Sequence, residues 1–188
     1  QAEQERRRPQ AVLRGQVPRG HGGDRLRAVA GGLVQAHRQA SLPRPDQVDR
    51  WDVAVVGIGR IGLPLAATIA SKGHQVFGCD INASLVERIN RAENPIPDEA
   101  GLGAVLKQVV ADGTFRATTE TASAVAKSQV VLFAVRVDID AEGRADLQYL
   151  FSAAEEAAKG LQPGTLCIFD TTLPVGTTRR ELAPRLEA

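Results

Sequence analysis

Asp52-Val53-Ala54-Val55-Val56-Gly57-Ile58-Gly59-Arg60-Ile61-Gly62-Leu63-Pro64 is the stretch on which the fold turns. Its first five residues, mostly apolar and β-branched, read as a strand. Three glycines follow at G-x-G-x-x-G spacing, and apolar positions then recur at helical intervals. Three glycines alone are a weak signal, but strand, turn and helix in that order make them informative. The first glycine must turn the chain out of the strand, the second must let backbone approach a ligand, and the third must let the helix pack close to the sheet. Each task excludes a Cβ. A helix behind Gly62 aims unpaired N–H groups and its positive dipole end at phosphate, so the turn needs no lysine, and it contains none.

The next apolar run ends in Asp80, eighteen residues beyond Gly62. That is close to the spacing of ~20 at which a carboxylate meets the adenosine ribose hydroxyls of a dinucleotide. Asp80 would repel a 2′-phosphate, and Ile81 and Asn82 follow it with no Arg or Lys alongside, so the expected cofactor is NAD rather than NADP. The plainer role for Asp80 is a helix cap or turn residue.

Further out, β-branched runs alternate with amphipathic stretches, the mark of βαβ units. Strands are expected at 52–56, 75–79, 114–117, 129–135 and 166–169, with helices at 63–71, 84–90, 102–111, 121–127 and 147–159. Strands that are apolar on nearly every residue, as from Val130 to Val135, need cover on both faces. The expected fold is α/β: a Rossmann-type doubly wound parallel sheet over residues 51–188, in the order 3-2-1-4-5. It is incomplete, because a full dinucleotide fold has six strands. An open edge of this kind is expected to promote association.

With 188 residues, 43% hydrophobic and 24% charged, the chain has the balance of a globular domain. No stretch reaches the ~18 to 20 apolar residues of a membrane helix and no leader opens the sequence, so no membrane partner and a cytoplasmic address are expected. Cys79 and Cys167 sit within apolar runs and read as buried small residues rather than as nucleophiles, disulfide partners or metal ligands. Residues 1–50 carry ten Arg, no Lys and five acidic residues, against thirteen basic and seventeen acidic in the rest. Such an arm could touch an acidic partner, but its Gln, Gly and Pro content reads as a disordered extension rather than a domain, with no nucleic acid expected. Gly31 and Gly32 leave at most a marginal helix over 24–40.

From Asp52 onward the chain resembles the amino-terminal, NAD-binding domain of the nucleotide-sugar dehydrogenases, the UDP-glucose and UDP-N-acetylmannosamine 6-dehydrogenase family. Four blocks carry the likeness: the glycine turn with Leu63-Pro64; Gly78-Cys79-Asp80-Ile81-Asn82; Val86 to Asn90 with Asn94-Pro95-Ile96; and Asp170-Thr171-Thr172-Leu173-Pro174-Val175-Gly176-Thr177-Thr178. The last looks like the family's E-S-T-x-P-x-G-T-T segment and is the most specific. Leu63-Pro64 looks more like the N-acetylhexosamine branch. The resemblance implies oxidation of the C6 hydroxyl of a UDP-sugar to a carboxylate, in two hydride transfers to NAD through a thioester on a cysteine. That cysteine, with its Lys and Asn partners, belongs to a part of the family not matched here, as does the sugar site. The chain therefore reads as a fragment, inactive alone, of a homo-oligomeric enzyme. Thr172 is the catalytic-class residue implied, beside the nicotinamide; capping of a following helix is its local alternative. The expected cofactor contacts are Gly57, Ile58, Gly59, Arg60, Ile61, Gly62, Asp80, Val135 and Thr172. Two departures stand out: Arg136-Val137 replaces the family's Pro-Thr after the fourth strand, and Asp170 replaces Glu. The alternatives are a non-catalytic NAD-binding or interaction module using the Arg-rich arm, or another NAD-dependent dehydrogenase of the same fold. The block from Thr171 argues against the latter.

Overall fold

The computed structural model describes residues 49–187; the marginal helix at 24–40, and all but the last two residues of the Arg-rich arm, fall outside the described residues. The element order is β1 (Asp52–Val56), α1 (Gly62–Ser71), β2 (Gln75–Cys79), α2 (Ala83–Asn90), α3 (Leu102–Ala111), β3 (Phe115–Thr118), α4 (Thr121–Val125) and β4 (Val130–Phe133). A hairpin of β5 (Asp138–Ile139) and β6 (Ala145–Asp146) follows, then α5 (Gln148–Ala158), β7 (Leu166–Phe169), a π-helical turn at Thr178–Leu182 and α6 (Ala183–Leu186). β1, β2, β3, β4 and β7 form one sheet in the order β3-β2-β1-β4-β7, parallel at every pairing. This is the topology expected from the sequence. No helix among the described residues is long and apolar enough to cross a membrane.

The central strands β1 and β4 are buried because both faces of the sheet are covered there. Val53 and Val55 of β1 join one apolar cluster, with Leu63, Ala66, Ile89, Leu106 and Phe115 of α1, α2, α3 and β3. Ala54 and Val56 point the other way, into a second cluster with Val125, Phe133, Leu150, Ala154 and Leu182. Alternation along one strand thus feeds two cores. Where backbones must approach, residues are small. Ala66, Ala67 and Ala70 bring α1 onto the sheet, and a Cβ on Gly160 would lie 2.0 Å from the Ala122 carbonyl oxygen. The rings of Phe133 and Phe169 stack at 4.6 Å and tie β4 to β7.

The two sheet edges are treated differently. On β3, the Asn90 side chain imitates a neighbouring strand: its Nδ2 donates to the Ala117 carbonyl (3.0 Å) and its Oδ1 accepts from the Ala117 N–H (2.9 Å). On β7, Cys167 and Phe169 pack against the second core, while Leu166 and Ile168 on the opposite face are 41% and 39% exposed.

Some boundaries differ from the sequence expectation. β3 lies one residue later than 114–117. β4 stops at Phe133 rather than running to Val135, because after the Ala134 N–H bonds to Val56 (2.8 Å) the chain leaves the sheet for the hairpin. That hairpin had no sequence counterpart. Its turn is built on Asp140, whose Oδ1 accepts from the N–H groups of Glu142 (3.1 Å) and Arg144 (2.8 Å), with Gly143 at φ 80°.

Candidate cofactor site

The C-terminal ends of β1 and β4 part company at the glycine turn, the switch point of the sheet, and the crevice there is where open parallel sheets bind ligands. Gly57 takes φ 88°, donates its N–H to the Cys79 carbonyl (2.8 Å), and passes so near β4 that a Cβ would lie 2.9 Å from the Ala134 oxygen. A Cβ on Gly62 would fall 1.8 Å from the Gly57 oxygen. A Cβ on Gly59 would meet nothing within 4 Å. The first and third glycines answer to the protein's own packing; the second borders open space.

Donors surround that space. Among the described residues the N–H groups of Gly59, Arg60 and Ile61 take no partner, and the first turn of α1 contains no acid and no side-chain cap. The helix end is thus left polarised toward an anion. Across the turn stands Asp80, whose Oδ2 accepts the Ile58 N–H at 3.2 Å and whose Oδ1 accepts the Asn82 N–H at 3.0 Å. Asp80 therefore shapes its own turn and also leans on the glycine loop. It does not cap α2: that task falls to Asn82, whose Oδ1 accepts the Leu85 N–H at 3.2 Å. Ile58 is fully buried under the loop, whereas Ile61 and Ile81 are 63% and 90% exposed on the rim.

Arg60 turns toward the segment before α3, where its Nη2 donates to Asp98 Oδ2 at 2.5 Å. That bond and the opposed charges raise the guanidinium above its ordinary range and lower the carboxyl below its own. Asp98 was not legible as a site residue, since only the fold brings it across from Arg60.

Val135 is half-buried against the second core, just beyond β4. Arg136 is paired with Asp138 of the hairpin at 2.9 Å, so its charge is answered locally. Thr171 and Thr172 follow β7 at the same end of the sheet, and the Asp170 N–H, bonded to the Phe133 carbonyl at 2.9 Å, fixes where that loop begins. Neither threonine hydroxyl bonds within the described residues, and the π-helical turn has no side-chain cap, so local capping is not what occupies them. The turn and Asp80 are in direct contact, and the Val135 N lies 3.2 Å from where a Cβ on Gly57 would stand; Thr172 follows β7 at the same end of the sheet and is not bonded to the turn. Burial pushes the Cys79 thiol up to about 12 and Cys167 up to about 11, which leaves neither as a thiolate at neutral pH.

The open space at Gly59, the free N–H groups and the carboxylate fit a dinucleotide: a diphosphate over the turn and a ribose at Asp80. Comparison with known proteins agrees. Residues 51–188 match the family model described as the UDP-glucose/GDP-mannose dehydrogenase family, NAD binding domain. The chain is 41% identical over 128 residues to UDP-N-acetyl-D-mannosamine dehydrogenase of Escherichia coli K12, covering 68% of this chain and 29% of that protein. It is 32% identical over 139 residues to GDP-mannose 6-dehydrogenase of Pseudomonas putida, covering 72% and 31%. The structure of a UDP-glucose dehydrogenase from Pyrobaculum islandicum superposes with a TM-score of 0.69 at 30% identity, over 78% of this chain and 34% of that one. The chain thus spans about a third of the length of the relatives it matches.

Proposed function

The chain belongs to the UDP-glucose/GDP-mannose dehydrogenase family, as its NAD-binding domain, and on that premise we propose that it holds NAD for a larger enzyme that oxidises the C6 hydroxyl of a nucleotide sugar to a carboxylate. The observation that carries this reading is the Asp80 carboxylate bonded to the glycine turn at Ile58, beside the unfilled space at Gly59.

NAD bound there supplies the acceptor for a hydride. The chain's own residues bind and orient. Gly59, Arg60 and Ile61 offer N–H groups to the diphosphate, α1 adds its dipole, and Asp80 accepts from the ribose hydroxyls while excluding a 2′-phosphate. Ile61, Ile81 and Val135 give the crevice apolar walls, and Thr172, whose hydroxyl takes no partner among the described residues, is assigned to the nicotinamide end. The sugar site and the cysteine that carries the thioester are assigned to the remaining two thirds of the relatives' length, since Cys79 and Cys167 are strand residues with raised pKa values. The chain alone therefore binds cofactor without turning over substrate. Leu63-Pro64, and the higher identity to the UDP-N-acetyl-D-mannosamine enzyme than to the GDP-mannose enzyme, support a UDP-N-acetylhexosamine as the sugar.

Ligand that binds only the folded state stabilises it by ~2.7 kcal/mol at a hundredfold excess over Kd. Millimolar NAD is expected to raise the melting temperature of the chain by several degrees, NADP much less, and Asp80→Arg is expected to fold with a lower melting temperature, having given up two accepted N–H bonds, and to lose the response to NAD. No shift of the unmutated chain in millimolar NAD would overturn the reading.

A further inference from the structure

The ion pair between Arg60 and Asp98 joins the glycine turn to the segment before α3, and among the described residues no other hydrogen bond or ion pair does so. Arg60 belongs to the glycine turn itself, with its backbone N–H on the open space and its side chain turned aside. Asp98 stands on the segment between α2 and α3, and that segment is anchored. Asn94 Oδ1 accepts the Ile96 N–H at 2.9 Å, Ile96 is buried in the first core, and Leu102, which opens α3, is buried as well. Asp98 thus stands on backbone held on both sides, and Arg60 reaches it with the longer side chain.

The pair is also weakly held. Its side chains are 72% and 59% exposed, and a salt bridge in water contributes little because solvent screens it and two long side chains must be ordered. A diphosphate lying over the turn offers the same guanidinium two anionic groups and bidentate bonding, whereas Asp98 engages it through Nη2 alone. Nothing fills the space beside Gly59, so the side chain can swing toward it.

We infer that Arg60 exchanges partners when cofactor binds, leaving Asp98 for the diphosphate, so that Asp98 is an internal competitor that lowers affinity for the dinucleotide. The inference rests on the cofactor reading above. It makes Asp98 a positioning residue: it touches no ligand and acts only through Arg60.

The experiment is calorimetric titration of the 188-residue chain with NAD in low and high salt, using the unmutated protein, Asp98→Asn, Arg60→Ala and the double variant. All substitutions are at exposed positions, and circular dichroism checks that each variant folds. Asp98→Asn is expected to bind NAD more tightly, by up to about fivefold at low salt, the affinity equivalent of an exposed ion pair. The gain should shrink as salt rises. Arg60→Ala is expected to bind more weakly, and adding Asp98→Asn to it should change nothing further. A gain in affinity is not what structural damage produces. Equal or weaker binding by Asp98→Asn, or the same gain with Arg60 absent, overturns the exchange while leaving the cofactor site standing. No binding by the unmutated chain overturns both.

Discussion

Gly59 and Gly62 are three residues apart and answer to different demands. A methyl group at position 62 would enter the Gly57 carbonyl, which cannot retreat because Gly57 is itself pinned against Ala134. Gly62→Ala is expected to cost on the order of 3 kcal/mol or more, read from urea denaturation. At position 59 the methyl meets no protein atom, so Gly59→Ala should unfold near the unmutated midpoint and yet lose most of its stabilisation by NAD, because the added group occupies ligand space. If both variants lost stability equally, the division of labour between these glycines would be wrong. Asn90 is a third such residue. Removing its side chain strands the Ala117 N–H and carbonyl at the sheet edge, and Asn90→Ala should cost ~1 to 3 kcal/mol. All three glycines were legible in the sequence because their spacing follows from local geometry. Asn90 appeared there only as part of a family block, and its work depends on a strand 27 residues away.

At the scale of elements, what could be read in advance was whatever is long and apolar. β1, β2 and β7 and helix α3 lie where the hydrophobic pattern puts them, since each is an apolar stretch bounded by turn or charged residues. The β5–β6 hairpin escaped notice because each strand has two residues, both strands are polar in part, and its stability comes from Asp140 bonding its own turn. The π-helical turn and α6 are held from outside. Arg185 lies over the Phe151 ring at 3.9 Å and pairs with Glu155 at 3.3 Å. Arg185→Ala is expected to loosen this end of the chain by ~1 kcal/mol, measured as faster proteolysis after β7 with the rest of the sheet protected. β2 carries a pH signature. Its last residue, Cys79, has a thiol raised from an ordinary 9.0 to about 12 by burial, so the folded state favours the protonated form. That contribution is complete below pH 9 and is lost as the pH climbs from 9 toward 12. Between pH 8 and 10.5 the unmutated chain should therefore lose more melting temperature than Cys79→Ala, and iodoacetamide should label Cys79 only after unfolding.

For the molecule as a whole, the unequal edges set solution behaviour. On β3, Asn90 answers the outward N–H and carbonyl of Ala117, whereas β7 pairs with no further strand among the described residues, and Leu166 and Ile168 are half open beside it. Parallel-sheet edges with apolar neighbours invite pairing with another chain. The chain is expected to associate at micromolar concentration by sedimentation equilibrium, and Ile168→Lys should shift it toward monomer without lowering the melting temperature appreciably; a monomeric unmutated chain would contradict this. The sequence anticipated the open edge through its strand count, but which face of β7 stays bare depends on which helices return, and that is a matter of tertiary packing.

The two apolar clusters lie on opposite faces of the sheet among the described residues. A change of volume on one side, at Leu106 for instance, reaches Leu150 on the other only across the sheet. Paired substitutions drawn from opposite faces should then add without interference, while pairs within a face should not. Such a partition lets lineages redraw one half of the interior at leisure while the other, along with the ligand mouth it supports, is inherited untouched.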